Sequence, residues 1–241
     1  MLSQTAFEEF ANQFHTSELN IMREYLQNLL LSHLYQHPRS NQLAFKGGTA
    51  LRLLFGSPRF SEDLDFNCGL TEYHVKTILN ETHERIKKEA IPSISLENKP
   101  TSGGYFAIYR FEIHGQQIDI EWNLSLRKAV QTELLMVTTP LMPSYQCMAL
   151  PIDALVKEKM EALLRRKKPR DFFDLYFFLR SRRGLKNIIP LKKMLLKEIG
   201  QLETGAMKFE LKHLLPGSLH SLLKNFPAMV AKELERASPA R

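Results

Sequence analysis

Phe45-Lys46-Gly47-Gly48-Thr49-Ala50-Leu51-Arg52-Leu53-Leu54-Phe55-Gly56-Ser57-Pro58-Arg59-Phe60-Ser61-Glu62-Asp63-Leu64-Asp65-Phe66 is the most informative run of the chain. It opens on the short apolar segment Leu43-Ala44-Phe45, which reads as a buried strand, and Gly47-Gly48 makes a tight turn out of it. Thr49 to Phe55 reads as a helix with Thr49 as its N-cap, broken by Gly56-Ser57-Pro58. Leu64 to Asn67 reads as the next strand.

Asp63 and Asp65 are two residues apart, and on an extended chain such residues point to one face. Two carboxylates so placed can hold one or two divalent cations. Mg²⁺ prefers carboxylate oxygens and takes waters and substrate phosphates as its other ligands. Paired metals of this kind stabilise both the attacking and the leaving oxygen of an in-line displacement at phosphorus. Upstream, Gly47-Gly48-Thr49 sits at a strand-to-helix turn, where glycines let the backbone approach a phosphate and the helix start offers N–H groups and a positive dipole end. The Thr49 hydroxyl adds a donor. A Gly-Gly turn alone is usually only a turn, and an Asp-x-Asp is often a solvated strand edge. Their combination, with a strand on each side, is much rarer, and it suits a nucleoside triphosphate.

The chain has 241 residues, 44% of them hydrophobic, enough for one large domain or two small ones. No run of eighteen apolar residues suggests a membrane span, and the first ten residues, with Glu8 and Glu9, lack the basic start of a signal peptide. Cys68 and Cys147 lack metal-site spacing, and a cytoplasmic protein is the simplest reading. Net charge is +7 and unevenly placed: Lys157 to Lys197 holds fourteen Lys and Arg against four acids. A basic C-terminal half suits a polyanion such as RNA, and a solvated helix surface is the plainer account.

Residues 5–36 carry apolar side chains at roughly helical spacing, ended by Pro38 to Asn41. Residues 71–90 read as a polar helix, Tyr105 to His114 and Gln117 to Trp122 as a hairpin turning at His114-Gly115, and Leu134 to Thr139 as a further strand. Beyond Pro151 the pattern is helical, with breaks at Pro169, Gly184, Pro190, Gly205 and Pro216-Gly217. These elements predict an α+β protein: a mixed sheet domain with helices over residues 1–150, then an all-helical domain over 151–241.

The helix from Ile152 to Arg166 has an apolar stripe of Ile152, Leu155, Val156, Met160 and Leu163. At 100° per residue Lys159 falls inside that stripe, Lys157 at its edge, and Glu158 faces away. An inward lysine needs a partner, because an unpaired buried ammonium is costly; a snorkelling lysine is the other account. Pro169 and Asp171 look like a helix start, where Asp171 could serve only as a capping or dipole acid, and Asp174 lies one turn on along the same face.

The run from Phe45 to Phe66 resembles the signature of the AbiEii/AbiGii toxin family. These are nucleotidyltransferase-like proteins of bacterial toxin–antitoxin and abortive-infection systems, within the DNA polymerase β-like superfamily. Glu158-Lys159, then Arg165, Arg170-Asp171 and Asp174-Leu175-Tyr176 resemble the family again. The resemblance implies a nucleotidyltransferase-type domain whose active site is completed by the helical one. It implies Asp63, Asp65, Lys159 and Asp171 as catalytic, Asp63 and Asp65 as metal ligands, and Gly47, Gly48, Thr49, Arg59, Ser61 and Lys159 as nucleotide-binding. The superfamily's third metal carboxylate falls on Asp119 or Glu121, which share one face of Gln117 to Trp122, and surface polar alternation accounts for both equally well.

The cofactor so implied is Mg²⁺, with Mn²⁺ as the alternative, and the substrate an NTP. The acceptor is RNA, by analogy tRNA, with Arg166, Lys167 and Lys168 as its basic contacts, and the partner a cognate antitoxin protein. The rival readings are a related phosphotransferase and a non-catalytic nucleotide- or RNA-binding module on the same fold.

Overall fold

The computed structural model describes residues 1–238. It divides into two compact units, one of Met1–Gly56 with Phe60–Leu150, the other of Ser57–Arg59 with the residues from Pro151 on.

The first unit opens with two helices, α1 (Gln4–Gln13) and α2 (Glu18–Leu34). Apolar periodicity merges them into one helical region, but the chain breaks between them. His15 takes a left-handed φ of 52°, and the Ser17 hydroxyl caps α2 by accepting from the Asn20 N–H. Next come β1 (Leu43–Lys46), α3 (Gly47–Phe55), β2 (Leu64–Cys68), α4 (Glu72–Lys88), β3 (Ser93–Thr101), β4 (Gly104–Ile113), β5 (Gln116–Leu126), β6 (Glu133–Thr139) and β7 (Met142–Ala149). They form a seven-stranded mixed sheet in the order β3-β4-β5-β2-β1-β7-β6. β1 runs antiparallel to β2 and parallel to β7, and β2 runs parallel to β5.

The β4–β5 turn is the one expected at His114-Gly115, both with left-handed φ (47° and 76°), as a two-residue hairpin turn requires. Sequence reading misses β3 and β7. β3 is an edge strand with Ile94 and Leu96 exposed and Pro100 within it, so its alternation points the wrong way. β7 carries Pro143 and polar residues that mask a strand signal. Phe45, Phe66 and Trp122 lie on the three central strands and pack at ring separations of 5.5 and 5.7 Å. That stack fixes β1, β2 and β5 against each other, so the opposite-parity residues of those strands share the other face.

The second unit is helical: α5 (Ile152–Arg166), α6 (Pro169–Ser181), α7 (Leu185–Ile188), α8 (Lys192–Ile199), α9 (Thr204–Leu211) and α10 (Phe226–Arg236). Pro169 begins α6, as its fixed φ and missing N–H favour. α6 and α10 meet through Phe173 stacked on Phe226, with ring centroids 5.9 Å apart. Among the described residues no helix is long and apolar enough to cross a membrane.

Candidate active site

The acidic pair sits where β2 begins. Leu64 is buried in the core, and its neighbours Asp63 and Asp65 are half-buried, turned to the other face. The β1–α3 turn lies directly against this pair. Lys46 stands opposite Asp65 in the ladder, and Gly47 follows with a φ of 84°. A Cβ on Gly47 would stand 2.1 Å from Asp65 Oδ2, so only glycine allows the turn to approach the carboxylate. Gly47 therefore combines a left-handed backbone with a close approach that excludes every side chain.

Thr49 behaves differently from its reading as an N-cap. α3 starts two residues earlier, with Lys46 in the cap position and no side chain capping it. The buried Thr49 hydroxyl donates to the Asp63 carbonyl at 2.5 Å. It braces the main chain that carries the first acid. The N–H groups of the first α3 turn thus start a helix without a side-chain cap, beside two carboxylates.

β2 places Asp65 next to Asn123 of β5, and Glu121, half-buried, lies on the same face. Asp119 is exposed and gripped by Arg110, whose Nε and Nη2 donate to its two oxygens at 2.7 and 2.8 Å. That hydrogen bond from Arg110 holds the Asp119 carboxyl below its usual range. Among the described residues, no three His, Cys, Asp or Glu side chains converge to hold a metal ion. A hard cation here would have Asp63 and Asp65 as its candidate protein ligands. Their fit rests on the glycine cradle and on a hard, oxygen-only donor set.

The second unit gathers another charged cluster. On α5, Lys159 is buried and Lys157 exposed, the phase that the apolar stripe predicts. Lys159 Nζ donates to Asp174 Oδ2 at 2.7 Å. Arg59 completes the group: its Nε and Nη2 donate to Asp174 Oδ1 at 3.1 and 3.0 Å, and Nη2 reaches Oδ2 at 3.2 Å. Asp174 is fully buried. Burial alone would raise its carboxyl, but Arg59 and Lys159 outweigh burial and hold it below the usual range.

Asp171, one turn earlier on α6 and also buried, is held by Arg166, whose Nε and Nη2 donate at 2.8 and 2.6 Å. The acid that meets Lys159 is therefore Asp174, and the reading from sequence gave Asp174 no role. Arg59 stands in this buried cluster. Of the three basic residues expected on RNA, Arg166 is bound to Asp171 and Lys167 to Glu198 at 2.7 Å, while Lys168 is exposed at the start of α6. Ser61 lies half-buried in the loop before the acidic pair.

This geometry stands inside a match to the family model "Nucleotidyl transferase AbiEii toxin, Type IV TA system", which spans residues 29–233. The chain belongs to the AbiEii family. This AbiEii-family chain is similar in fold to solved structures. MenT4, a nucleotidyltransferase toxin of Mycobacterium tuberculosis, superposes with a TM-score of 0.71 at 17% identity, over 99% of this chain and 91% of that one. JHP933 from Helicobacter pylori gives a TM-score of 0.59 at 23% identity, over 92% of this chain and 95% of that one. No curated protein matches the sequence. The expected α+β architecture and the family resemblance are both borne out.

Proposed function

We propose that this AbiEii protein transfers a nucleotide from an NTP to an RNA acceptor, and that it is a toxin countered by a cognate antitoxin. The observation that carries the reading is the contact between the Gly47 turn and the Asp65 carboxylate, within the family motif. It sets the N-terminal turn of α3 beside a carboxylate pair, an arrangement that suits a metal-bound triphosphate.

In this reading Asp63 and Asp65 would hold Mg²⁺ or Mn²⁺, which would supply charge neutralisation at the phosphates. Phosphate oxygens and water would supply its other ligands; of the two acids on the neighbouring β5 face, Arg110 already engages Asp119, which leaves Glu121 as the candidate to be brought in when the metal binds. Backbone N–H groups of Gly47, Gly48 and Thr49 receive phosphate oxygens. Lys159 has two further N–H donors beyond its bond to Asp174, and these suit an anionic phosphate oxygen. Asp174, itself gripped by Arg59, holds Lys159 in place, and Asp171 at the start of α6 is tied to Arg166.

The acceptor hydroxyl attacks the α-phosphorus, the bond to pyrophosphate breaks, and positioning with electrostatics supplies the rate. The basic second unit recommends RNA as the acceptor, and the family resemblance points to tRNA.

Incubating the protein with bulk tRNA and an NTP labelled at the α- or the γ-phosphate tests this. The reading requires Mg²⁺-dependent transfer of the α-label alone to RNA. Transfer of the γ-label would make the protein a phosphotransferase, and binding without transfer would make it a recognition module.

A further inference from the structure

We infer that Gln27, on α2 and outside the family-model match, is a positioning residue for the acidic pair, setting the loop that aims Asp63 and Asp65. The inference rests on the proposed metal role of those two acids. Gln27 is 2% exposed and sits in the middle of a helix buried along most of its length. Its Nε2 donates to the carbonyls of both Ser61 and Glu62, each at 3.0 Å. An amide nitrogen has two hydrogens, so both bonds form at once, one from each N–H.

Together with the Thr49 hydroxyl on the Asp63 carbonyl, three successive carbonyls before β2 are fixed by buried side chains from two different helices. A carbonyl that points at Gln27 or Thr49 cannot point elsewhere, so the peptide planes from Ser61 to Asp63 are set, and with them the direction in which Asp63 leaves the chain. The neighbouring contacts reinforce the same loop. Arg23, one turn back on α2, pairs with Glu62 at 3.3 Å, and the Arg52 guanidinium lies 3.5 Å from the centre of the Phe60 ring while bonded to Glu24 of α2. α2 thus carries Arg23, Glu24 and Gln27 to the acidic loop, and Gln27 grips its backbone. A polar side chain this deeply buried would be costly on a helix that only had to pack.

The test measures Mn²⁺ binding by electron paramagnetic resonance, with thermal unfolding followed in parallel. Gln27→Met keeps the length and removes both donors. Residues that orient metal ligands change metal affinity by roughly 10–100-fold when replaced. We expect Gln27→Met to bind Mn²⁺ about tenfold more weakly than wild type while still unfolding cooperatively.

Tyr35→Phe is the control. It removes a buried hydroxyl shared by the carbonyls of Leu43 and Met148, at 3.0 and 2.8 Å, neither of them in the acidic loop. It should lower thermal stability and leave Mn²⁺ affinity unchanged. If Gln27→Met does not fold, Gln27→Asn gives the same readout, because its shorter amide cannot span both carbonyls. Equal Mn²⁺ affinity of wild type and any folded Gln27 variant would overturn the inference. Wild type that binds Mn²⁺ no better than Asp65→Asn would instead overturn the metal reading on which it rests.

Discussion

The acidic turn of the first unit and the charged cluster of the second treat carboxylates in opposite ways. Asp63 and Asp65 are half-buried at the edge of a core strand, within reach of solvent and of a ligand, and backbone geometry places them. Asp171 and Asp174 are buried on α6, each matched by cations: Arg166 for one, Arg59 and Lys159 for the other. A carboxylate near the surface can exchange water for a metal ion. A carboxylate sealed against guanidinium and ammonium groups serves to hold those cations still. In the proposed reading the difference divides labour: we assign binding to the first region and orientation to the second.

The comparison breaks first, and most visibly, at Asp174. Asp174→Ala would leave Arg59 and Lys159 buried without their shared partner. Removing one member of a buried ion pair costs about 3–5 kcal/mol, and this loss should appear in chemical denaturation. The same group gives a pH signature. Its folded pKa lies below the ordinary value, so its stabilising contribution is complete above about pH 4 and is lost as pH falls through the folded pKa. Wild type should therefore lose stability more steeply than Asp174→Asn on acidification below pH 4. Parallel acid-unfolding curves would show that Asp174 is not held as an anion.

Next in size is Lys159. Lys159→Met keeps the buried stem and removes the charge, and transfer should fall by roughly 100-fold, the scale of a single electrostatic contact to the transition state. Lys157→Met, on the exposed side of the same helix, should stay close to wild type in the same rate assay. Comparable losses in both would mean that surface charge, not the oriented ammonium, matters.

The two regions also differ in how far the sequence revealed them. The first lies within a continuous run of residues, so glycine turn, helix and acidic pair were all readable from spacing and strand alternation. Even there the role of Thr49 was hidden, because its partner is a main-chain carbonyl fourteen residues away, and no side-chain pattern records a carbonyl. In the second region helical periodicity correctly turned Lys159 inward. It could not choose between Asp171 and Asp174, which share a face of α6, and the deciding partner, Arg59, is 115 residues from Asp174 in the chain. The missed strands β3 and β7 have the same kind of cause: edge exposure and internal prolines erase the alternation by which a strand is recognised.

The smallest effects sharpen the comparison on the basic surface. Arg166→Ala should cost about 1–3 kcal/mol of stability, because buried Asp171 loses its donors. Lys168→Ala, at an exposed position, should leave stability unchanged and lower the salt slope of tRNA affinity by about one unit, the effect of one lost phosphate contact. Titrations of labelled tRNA across a salt series separate these outcomes, and an unchanged slope in Lys168→Ala would place the RNA elsewhere.

The most direct test of the central claim compares wild type with Asp65→Asn in Mg²⁺-dependent transfer of α-labelled nucleotide to RNA. The substitution keeps the side chain's size against Gly47 and removes the metal-binding charge. The account predicts that Asp65→Asn unfolds at nearly the wild-type temperature and that its transfer falls by two orders of magnitude or more, on the order of what a lost electrostatic contact costs. A folded Asp65→Asn protein that transfers nucleotide at the wild-type rate would contradict the account.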